Sequence, residues 1–115
     1  MIHLSLHFLV PLAVAFYFYR EQWLKSFLIM LLATLIDLDH LIADPIYDPT
    51  RCSIGFHPMH TLIPSLLYLL LSIPKQTRLL GIGLCIHIAL DSIDCQVING
   101  IWYYREVAEE LAFLR

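Results

Sequence analysis

Four apolar segments, separated by polar stretches, constrain what this chain can fold into. They cover residues 2–19, 23–43, 58–73 and 79–98. The first approaches the roughly 20 apolar residues with which a helix crosses a bilayer. The chain is 59% hydrophobic and 15% charged, whereas an average soluble domain is about 25% charged. No strand-like alternation is present, so the sequence predicts an all-α protein: a four-helix transmembrane bundle in up-down order.

The remaining sequence fits a single integral membrane domain over residues 1–115. Residues 101–115 include Trp102, Tyr103 and Tyr104 and predict a short amphipathic helix at the membrane interface. The N-terminus has no positively charged region and no small-residue cleavage site, so the first segment is predicted to be a retained helix. The net charge of −3 disfavours a nucleic-acid partner, which would require a basic surface.

Two carboxylates and an imidazole interrupt the second segment, in the sequence Asp37-Leu-Asp-His40. Charged groups in a low-dielectric environment are costly unless they are paired or bind a metal ion. On a helix, Asp37 and His40 share a face at i, i+3, while Asp39 points to the flank. The motif therefore indicates a polar site inside the bundle.

The other segments supply matching side chains, such as His57 with His60 and His87 with Asp91. At 1.5 Å per residue from the short polar turns, the candidates on all four helices lie ~13 to ~24 Å from that side. Histidines and aspartates of four helices are thus predicted to share one layer. The predicted metal ligands are His7, Asp37, His40, His57, His60, His87 and Asp91.

Imidazole and carboxylate ligands suit zinc and related divalent transition metals. The three cysteines show no C-x-x-C spacing, so they do not indicate a thiolate metal site. The candidates outnumber the four ligands of one zinc ion. Either two ions bind, or one ion binds and further carboxylates orient the histidines. The structural alternative is that each histidine only forms a hydrogen bond between two helices. For the whole set, a metal or proton-handling site is favoured.

Three further residues receive roles in this hypothesis. Asp39 or Asp94 is the predicted general base, since both lie close to the ligands. Asp94 could instead ligate or orient His87. Arg51, in the loop after the second segment, is predicted to bind an anionic substrate headgroup, with an ion pair to Asp48 as the alternative.

Basic residues predict the orientation in the membrane. The short turns carry four and the opposite side three, which places the turns in the cytoplasm and the site in the extracytoplasmic half. On that side Cys52 and Cys95 would share an oxidising compartment, where a disulfide could form between them. The basic residues are Arg20, Lys25, Lys75 and Arg78 on the turn side, and Arg51, Arg105 and Arg115 on the site side.

Taken in chain order, His7, Asp37-Leu-Asp-His40, His57-x-x-His60-Thr61 and His87-x-x-x-Asp91 resemble the motifs of the YdjM-like family of bacterial membrane-bound metal-dependent hydrolases. Related proteins often carry H-R-G-x-x-H-S where this chain has Gly55-Phe-His-Pro-Met-His-Thr61. The resemblance implies a zinc-type site that hydrolyses a lipid or phosphoester in a bacterial inner membrane.

The function expected from these residues is hydrolysis of a lipid or lipid-linked phosphoester by metal-activated water. The helix N-terminus near His57 could stabilise a phosphate, and an amide substrate is equally allowed. The alternative is a non-enzymatic membrane protein that binds a metal or carries metal ions or protons, which would need a homo-oligomer to enclose a pathway. The apolar cytoplasmic halves of the segments disfavour transport. A structural metal in an assembly factor is a third reading.

Overall fold

The computed structural model describes residues 2–42, 52–55 and 57–102, apart from the side chains of residues 2, 3 and 40. These residues form four α-helices and three 3-10 segments, without a strand, which confirms the all-α prediction for this part of the chain. The helices are α1 (Ile2–Phe18), α2 (Trp23–Leu31), α3 (Leu62–Leu71) and α4 (Arg78–Asn99). The 3-10 segments are Arg20–Gln22, Leu32–Ile42 and Pro58–His60. We call Leu32–Ile42 the 3-10 extension and Pro58–His60 the histidine turn.

Helix α4 is the centre of the fold, because it packs against α1, α2, α3 and the 3-10 extension. It approaches α2 closely at Gly83, where a Cβ atom would lie 2.7 Å from the Met30 carbonyl oxygen. Glycine is therefore required for the two backbones to meet at this distance. Two buried apolar clusters flank the contact: Ala15, Phe27 and Met30 in one, and Ala33, Ile36, Tyr68 and Leu84 in the other.

Side chains of the α3–α4 turn satisfy the carbonyl groups that the end of α3 leaves without a helical partner. The Arg78 guanidinium donates to the carbonyl oxygens of Ser72 and Ile73, and the Thr77 hydroxyl donates to that of Leu71. At its other end, α4 stops at Gly100, whose φ of 72° is left-handed. This is a common helix terminator.

The second apolar segment was predicted as one helix over residues 23–43, but its α-helix ends at Leu31 and continues as the 3-10 extension. The third was predicted over 58–73, but α3 begins only at Leu62, after the histidine turn and an extended Thr61 (φ −91°, ψ 175°). Pro64 falls in the first turn of α3, where its missing N–H has no helical acceptor to lose.

Hydrogen bonds from two other elements explain why residues 58–60 form the histidine turn and not the start of an α-helix. The Met59 N–H donates to Asp39 Oδ2 at 2.8 Å, and the Tyr68 hydroxyl donates to the Met59 carbonyl oxygen at 2.8 Å. Both polar groups of the Met59 backbone are thus held by side chains of other elements. A continuous α-helix from residue 58 would break these contacts.

Apolar side chains cover much of the exterior, for example Leu62 and Ile63 at the start of α3, which are each 73% exposed. Within the described residues, one helix, α4, is long and apolar enough to cross a membrane, judged by length and composition; α1 and α3 are shorter apolar helices. Ile101 and Trp102 follow α4 without helical structure, and residues 103–115 of the predicted tail helix lie outside the described residues.

Candidate metal centre

Four side chains from three parts of the chain meet at one point. Asp37 comes from the 3-10 extension, His60 from the histidine turn, and His87 and Asp91 from α4. One ligand atom of each lies within 4.8 Å of the others, an arrangement that could hold a metal ion. We call these four residues the His/Asp cluster.

The spacing within the cluster fits the coordination shell of a small cation. His60 Nε2 lies 3.3 Å from Asp37 Oδ1, 3.1 Å from Asp91 Oδ2 and 3.3 Å from His87 Nε2. His87 Nε2 lies 3.0 Å from Asp37 Oδ1 and 3.2 Å from Asp91 Oδ2. Ligands at 2.0–2.1 Å from a tetrahedral ion are about 3.3–3.4 Å apart. The cluster is therefore close to the size that such an ion requires.

Asp39 fixes the protonation of His60 on the far edge of its ring. Asp39 Oδ2 accepts the Met59 N–H and lies 3.0 Å from His60 Nδ1. An ionised carboxylate only accepts hydrogen bonds, so His60 Nδ1 carries the hydrogen. In a neutral ring, Nε2 then presents its lone pair to the carboxylates of Asp37 and Asp91.

That arrangement is repulsive unless a positive charge lies within the cluster. The cluster could acquire this charge by protonating its histidines, but each Nε2 carries at most one hydrogen. His60 Nε2 alone has three neighbours at hydrogen-bond distance, and one hydrogen cannot point at all of them. A divalent metal ion could be held by several of these ligand atoms at once, so the donor set and its geometry fit a transition metal.

The cluster is closed on one side and open on the other. The side chains of His60, His87 and Asp91 are 0%, 3% and 6% exposed, whereas that of Asp37 is 44% exposed. Buried ionisable groups are stable only when paired or bound to an ion. Access to the cluster therefore lies past Asp37.

His7 lies beside the cluster rather than in it. Its Nε2 is 3.0 Å from Asp91 Oδ1, the oxygen that does not face His60, and its ring meets that of His87 edge to face at 4.5 Å. His7 thereby attaches α1 to the site and orients the Asp91 carboxylate. His87 Nδ1 is buried and has no hydrogen-bond partner among the described residues.

The other predicted site residues lie outside the four-atom cluster. His57 is buried, but its ring centroid is 5.8 Å from that of His60. Asp94 is half-buried on α4, less than one turn beyond Asp91. The side chain of His40 and the whole of Arg51 lie outside the described residues.

Two contributions were missed by sequence reasoning. Asp39 was predicted as a general base, and the structure places it on Nδ1 of His60 instead of near the open side. Nothing in the sequence indicated more than a packing role for Tyr68, yet its hydroxyl stabilises the histidine turn by donating to the Met59 carbonyl. Residue spacing carries no signal for either contact, because separations of 21 residues (Asp39 to His60) and nine residues (Tyr68 to Met59) are not those of one helix face.

A disulfide joins Cys52 to Cys95, with a Cα–Cα distance of 4.9 Å. Cys95 lies one helical turn after Asp91, and Cys52 belongs to the segment that leads to the histidine turn. Two backbone hydrogen bonds join that segment to the histidine turn and the residue before it: the His57 N–H donates to the Ser53 carbonyl, and the Gly55 N–H donates to the His60 carbonyl. The disulfide therefore tethers the segment before His60 to α4.

The fold and the cluster together define a small all-helical protein with a candidate His/Asp metal site. The chain belongs to DUF6122, a family of unknown function, whose model matches residues 1–98. No curated protein and no solved structure matches it. The matched range contains every residue of the cluster. Since the family has no assigned activity, the resemblance to YdjM-like hydrolases stays a prediction.

Proposed function

We propose that this protein is an integral membrane metal-dependent hydrolase that cleaves a lipid or lipid-linked phosphoester. The observation that carries the proposal is the asymmetry of the His/Asp cluster: three buried ligands and one exposed carboxylate. A catalytic zinc ion typically has three protein ligands and an open position, whereas a structural one has four. His60, His87 and Asp91 supply the buried set.

A membrane location is supported by where the polar and apolar side chains lie. The described residues bury histidines and aspartates and expose leucines and isoleucines on the surfaces of α1, the 3-10 extension and α3. Large exposed apolar surfaces mark contact with lipid or with another protein. α4 meets the length and composition of a spanning helix, and the resemblance to membrane-bound hydrolases agrees with this placement.

The disulfide supports a site on the extracytoplasmic side of the membrane. Disulfides form and persist in oxidising compartments such as the bacterial periplasm. Cys95 is one turn from Asp91, so the cluster and the disulfide share the same end of α4. This supports an extracytoplasmic site, as does the distribution of basic residues.

Zinc is the metal we propose, since two imidazoles and carboxylates are typical zinc ligands. When bound, such an ion lowers the pKa of a coordinated water and polarises the ester oxygen. The protein supplies the rest. Asp39 orients His60 through Nδ1, and His7 orients Asp91 through Oδ1. Asp37, at the open side, is placed to take the proton from water.

In the proposed reaction, the water oxygen forms a bond to phosphorus and the bond from phosphorus to the leaving alcohol oxygen breaks. The electron pair of that bond stays on the leaving oxygen, which then receives a proton. Asp37 accepts the proton from water and can pass it to this oxygen. Asp39 faces the opposite edge of His60, which disfavours the general-base role predicted for it, and the same role for Asp94 stays a prediction.

Asp37→Asn tests this proposal against a purely structural metal site. Protein purified in detergent is measured for zinc content and for turnover of bis(p-nitrophenyl) phosphate and of phospholipid vesicles. We expect zinc to stay bound to the three buried ligands, while turnover falls by about 10²–10⁴-fold, the usual contribution of general-base catalysis. Glu21→Gln, an exposed carboxylate remote from the cluster, is the matched control.

One observation favours the second candidate, a structural metal site. The cluster offers four protein ligands, which is the number that fills a tetrahedral zinc shell. If Asp37→Asn loses its zinc and the unaltered protein hydrolyses none of the phosphoesters, the structural role replaces the hydrolase.

A further inference from the structure

We propose that a groove between α1 and the α2–extension junction binds one hydrocarbon chain of the substrate and thereby places its polar group at Asp37. This inference rests on the proposed function, because it names the substrate class for the same site. The groove is a cavity of ≈ 240 Å³ that opens on the outer surface of the helices. Its lining residues are Leu4, His7, Phe8, Leu31, Thr34 and Asp37.

The lining combines apolar side chains with Asp37 of the His/Asp cluster. Leu4, Phe8 and Leu31 provide hydrocarbon surface, and Leu4 is 68% exposed. The hydroxyl of Thr34 donates to the Leu31 carbonyl at 2.8 Å, so its hydrogen is already used. The greater part of the groove wall therefore suits an apolar ligand.

The polar lining of the groove adjoins the His/Asp cluster. Asp37 is the exposed member of the His/Asp cluster, and His7 already contacts Asp91 Oδ1 at 3.0 Å. A ligand lying in the groove would thus have its chain on leucine and phenylalanine side chains and its head beside Asp37. An amphipathic molecule with a hydrocarbon chain near a phosphoester matches this combination of surfaces.

Entry must occur from the side of the helices. The cavity deeper in the bundle, between His7, Met30 and Gly83, measures only ≈ 10 Å³, which is too small for a chain. Leu32 and Leu35, which follow the lining residues Leu31 and Thr34 in the sequence, expose apolar side chains on the surface of the 3-10 extension. A chain already dissolved in a bilayer could slide into the groove without crossing water. A diacyl phospholipid and a polyprenyl phosphate both present this chemistry.

A tryptophan reporter tests chain binding without relying on activity. Phe8→Trp places the fluorophore in the groove, and Leu69→Trp places it on an exposed position of α3, both in a background with Trp23→Phe and Trp102→Phe. Phospholipid with a brominated acyl chain and brominated polyprenyl phosphate are titrated separately into the detergent-solubilised zinc protein. We expect quenching at Phe8→Trp to saturate near one lipid per protein, while Leu69→Trp shows only a weak, linear decrease.

Filling the groove tests its role in substrate choice. Leu31→Trp should retain its zinc but lower the ratio of long-chain to short-chain phosphoester turnover by at least tenfold, since each methylene kept out costs roughly fourfold in binding. Leu69→Trp should leave that ratio unchanged. The lipid probe that saturates identifies the chain type.

The outcomes separate this inference from the proposed function. Saturable quenching in a protein that hydrolyses no probe would keep the groove and overturn the hydrolase. Hydrolysis with parallel quenching curves and an unchanged chain-length ratio would keep the hydrolase and overturn the groove. Loss of quenching upon dimer formation, measured by light scattering, would assign the groove to a second copy of the chain and also overturn the lipid site.

Discussion

Asp37 and Asp39, which are separated by Leu38 in the 3-10 extension, contact opposite edges of the His60 ring. Asp37 Oδ1 lies 3.3 Å from Nε2, and Asp39 Oδ2 lies 3.0 Å from Nδ1. The ring is thereby fixed in orientation and in tautomer. One short segment thus contributes an exposed carboxylate to the open side of the cluster and a buried one that orients a ligand.

Removing the orienting carboxylate should weaken metal binding without abolishing it. Asp39→Asn keeps the size of the side chain but loses the charge that holds His60 Nδ1–H. Residues that orient a ligand in this way typically contribute 10–100-fold in metal affinity, so we expect about that loss. Zinc affinity is measured by competition with a chelating dye. An Asp39→Asn affinity equal to that of Glu21→Gln would show that Asp39 does not orient a ligand.

Zinc should stabilise the folded protein through the cluster and not through His57. At a free zinc concentration of about 100 times the dissociation constant, binding contributes about 2.7 kcal/mol, a rise in Tm on the order of 10 °C. We expect His87→Gln to lose this rise. His57→Gln, which alters a buried histidine outside the cluster, should retain it.

The measurement is the Tm of each variant in detergent, once with zinc and once with a chelator, with unfolding monitored by circular dichroism. A zinc-dependent rise that disappears in His57→Gln and persists in His87→Gln would contradict the assignment of the ligands.

Breaking the disulfide should destabilise the fold substantially. Cys52 and Cys95 are separated by 43 residues, and the chain-entropy model assigns about 4 kcal/mol to closing a loop of that size. We expect Cys52→Ser and the Cys52→Ser/Cys95→Ser double variant to lose a similar free energy of unfolding. Cys85→Ser, which alters the half-buried free cysteine, is the control. Unfolding is followed in micelles with increasing denaturing detergent; equal stability of all variants would contradict the cross-link.

Gly83→Ala should lower the free energy of unfolding, although helix propensity alone predicts the opposite. Alanine favours a helix over glycine by about 1 kcal/mol. At Gly83, however, the added Cβ would lie 2.7 Å from the Met30 carbonyl oxygen, and overpacking typically costs about 1–3 kcal/mol. Val97→Ala, at an exposed position of the same helix, serves as control in the same detergent titration. A stabilised Gly83→Ala would show that α2 and α4 do not pack this closely.

The sequence was informative about features set by local periodicity. α4 was predicted over residues 79–98 and spans Arg78–Asn99, because a long apolar run with a polar turn before it and a glycine after it determines both ends. The i, i+4 spacing placed His87 and Asp91 on one face, and their ligand atoms lie 3.2 Å apart.

The histidine turn could not be derived in the same way. His57 and His60 are spaced i, i+3, which would put them on one face of a helix, but the backbone at His57 is extended (φ −80°, ψ 141°) ahead of Pro58. The two rings meet edge to face with centroids 5.8 Å apart, and of the two only His60 belongs to the His/Asp cluster. What fixes the turn are hydrogen bonds from Met59 to Asp39 and from Tyr68 to Met59, and these depend on tertiary contacts that no local pattern encodes.

The contact between His7 and Asp91 joins α1 to α4. During synthesis, α1 leaves the ribosome before α4 has been made, so His7 can contact Asp91 only after α4 has been added. A chain in which α4 has not yet been made lacks both His87 and Asp91, so the candidate metal site is complete only after α4 has packed against the earlier helices.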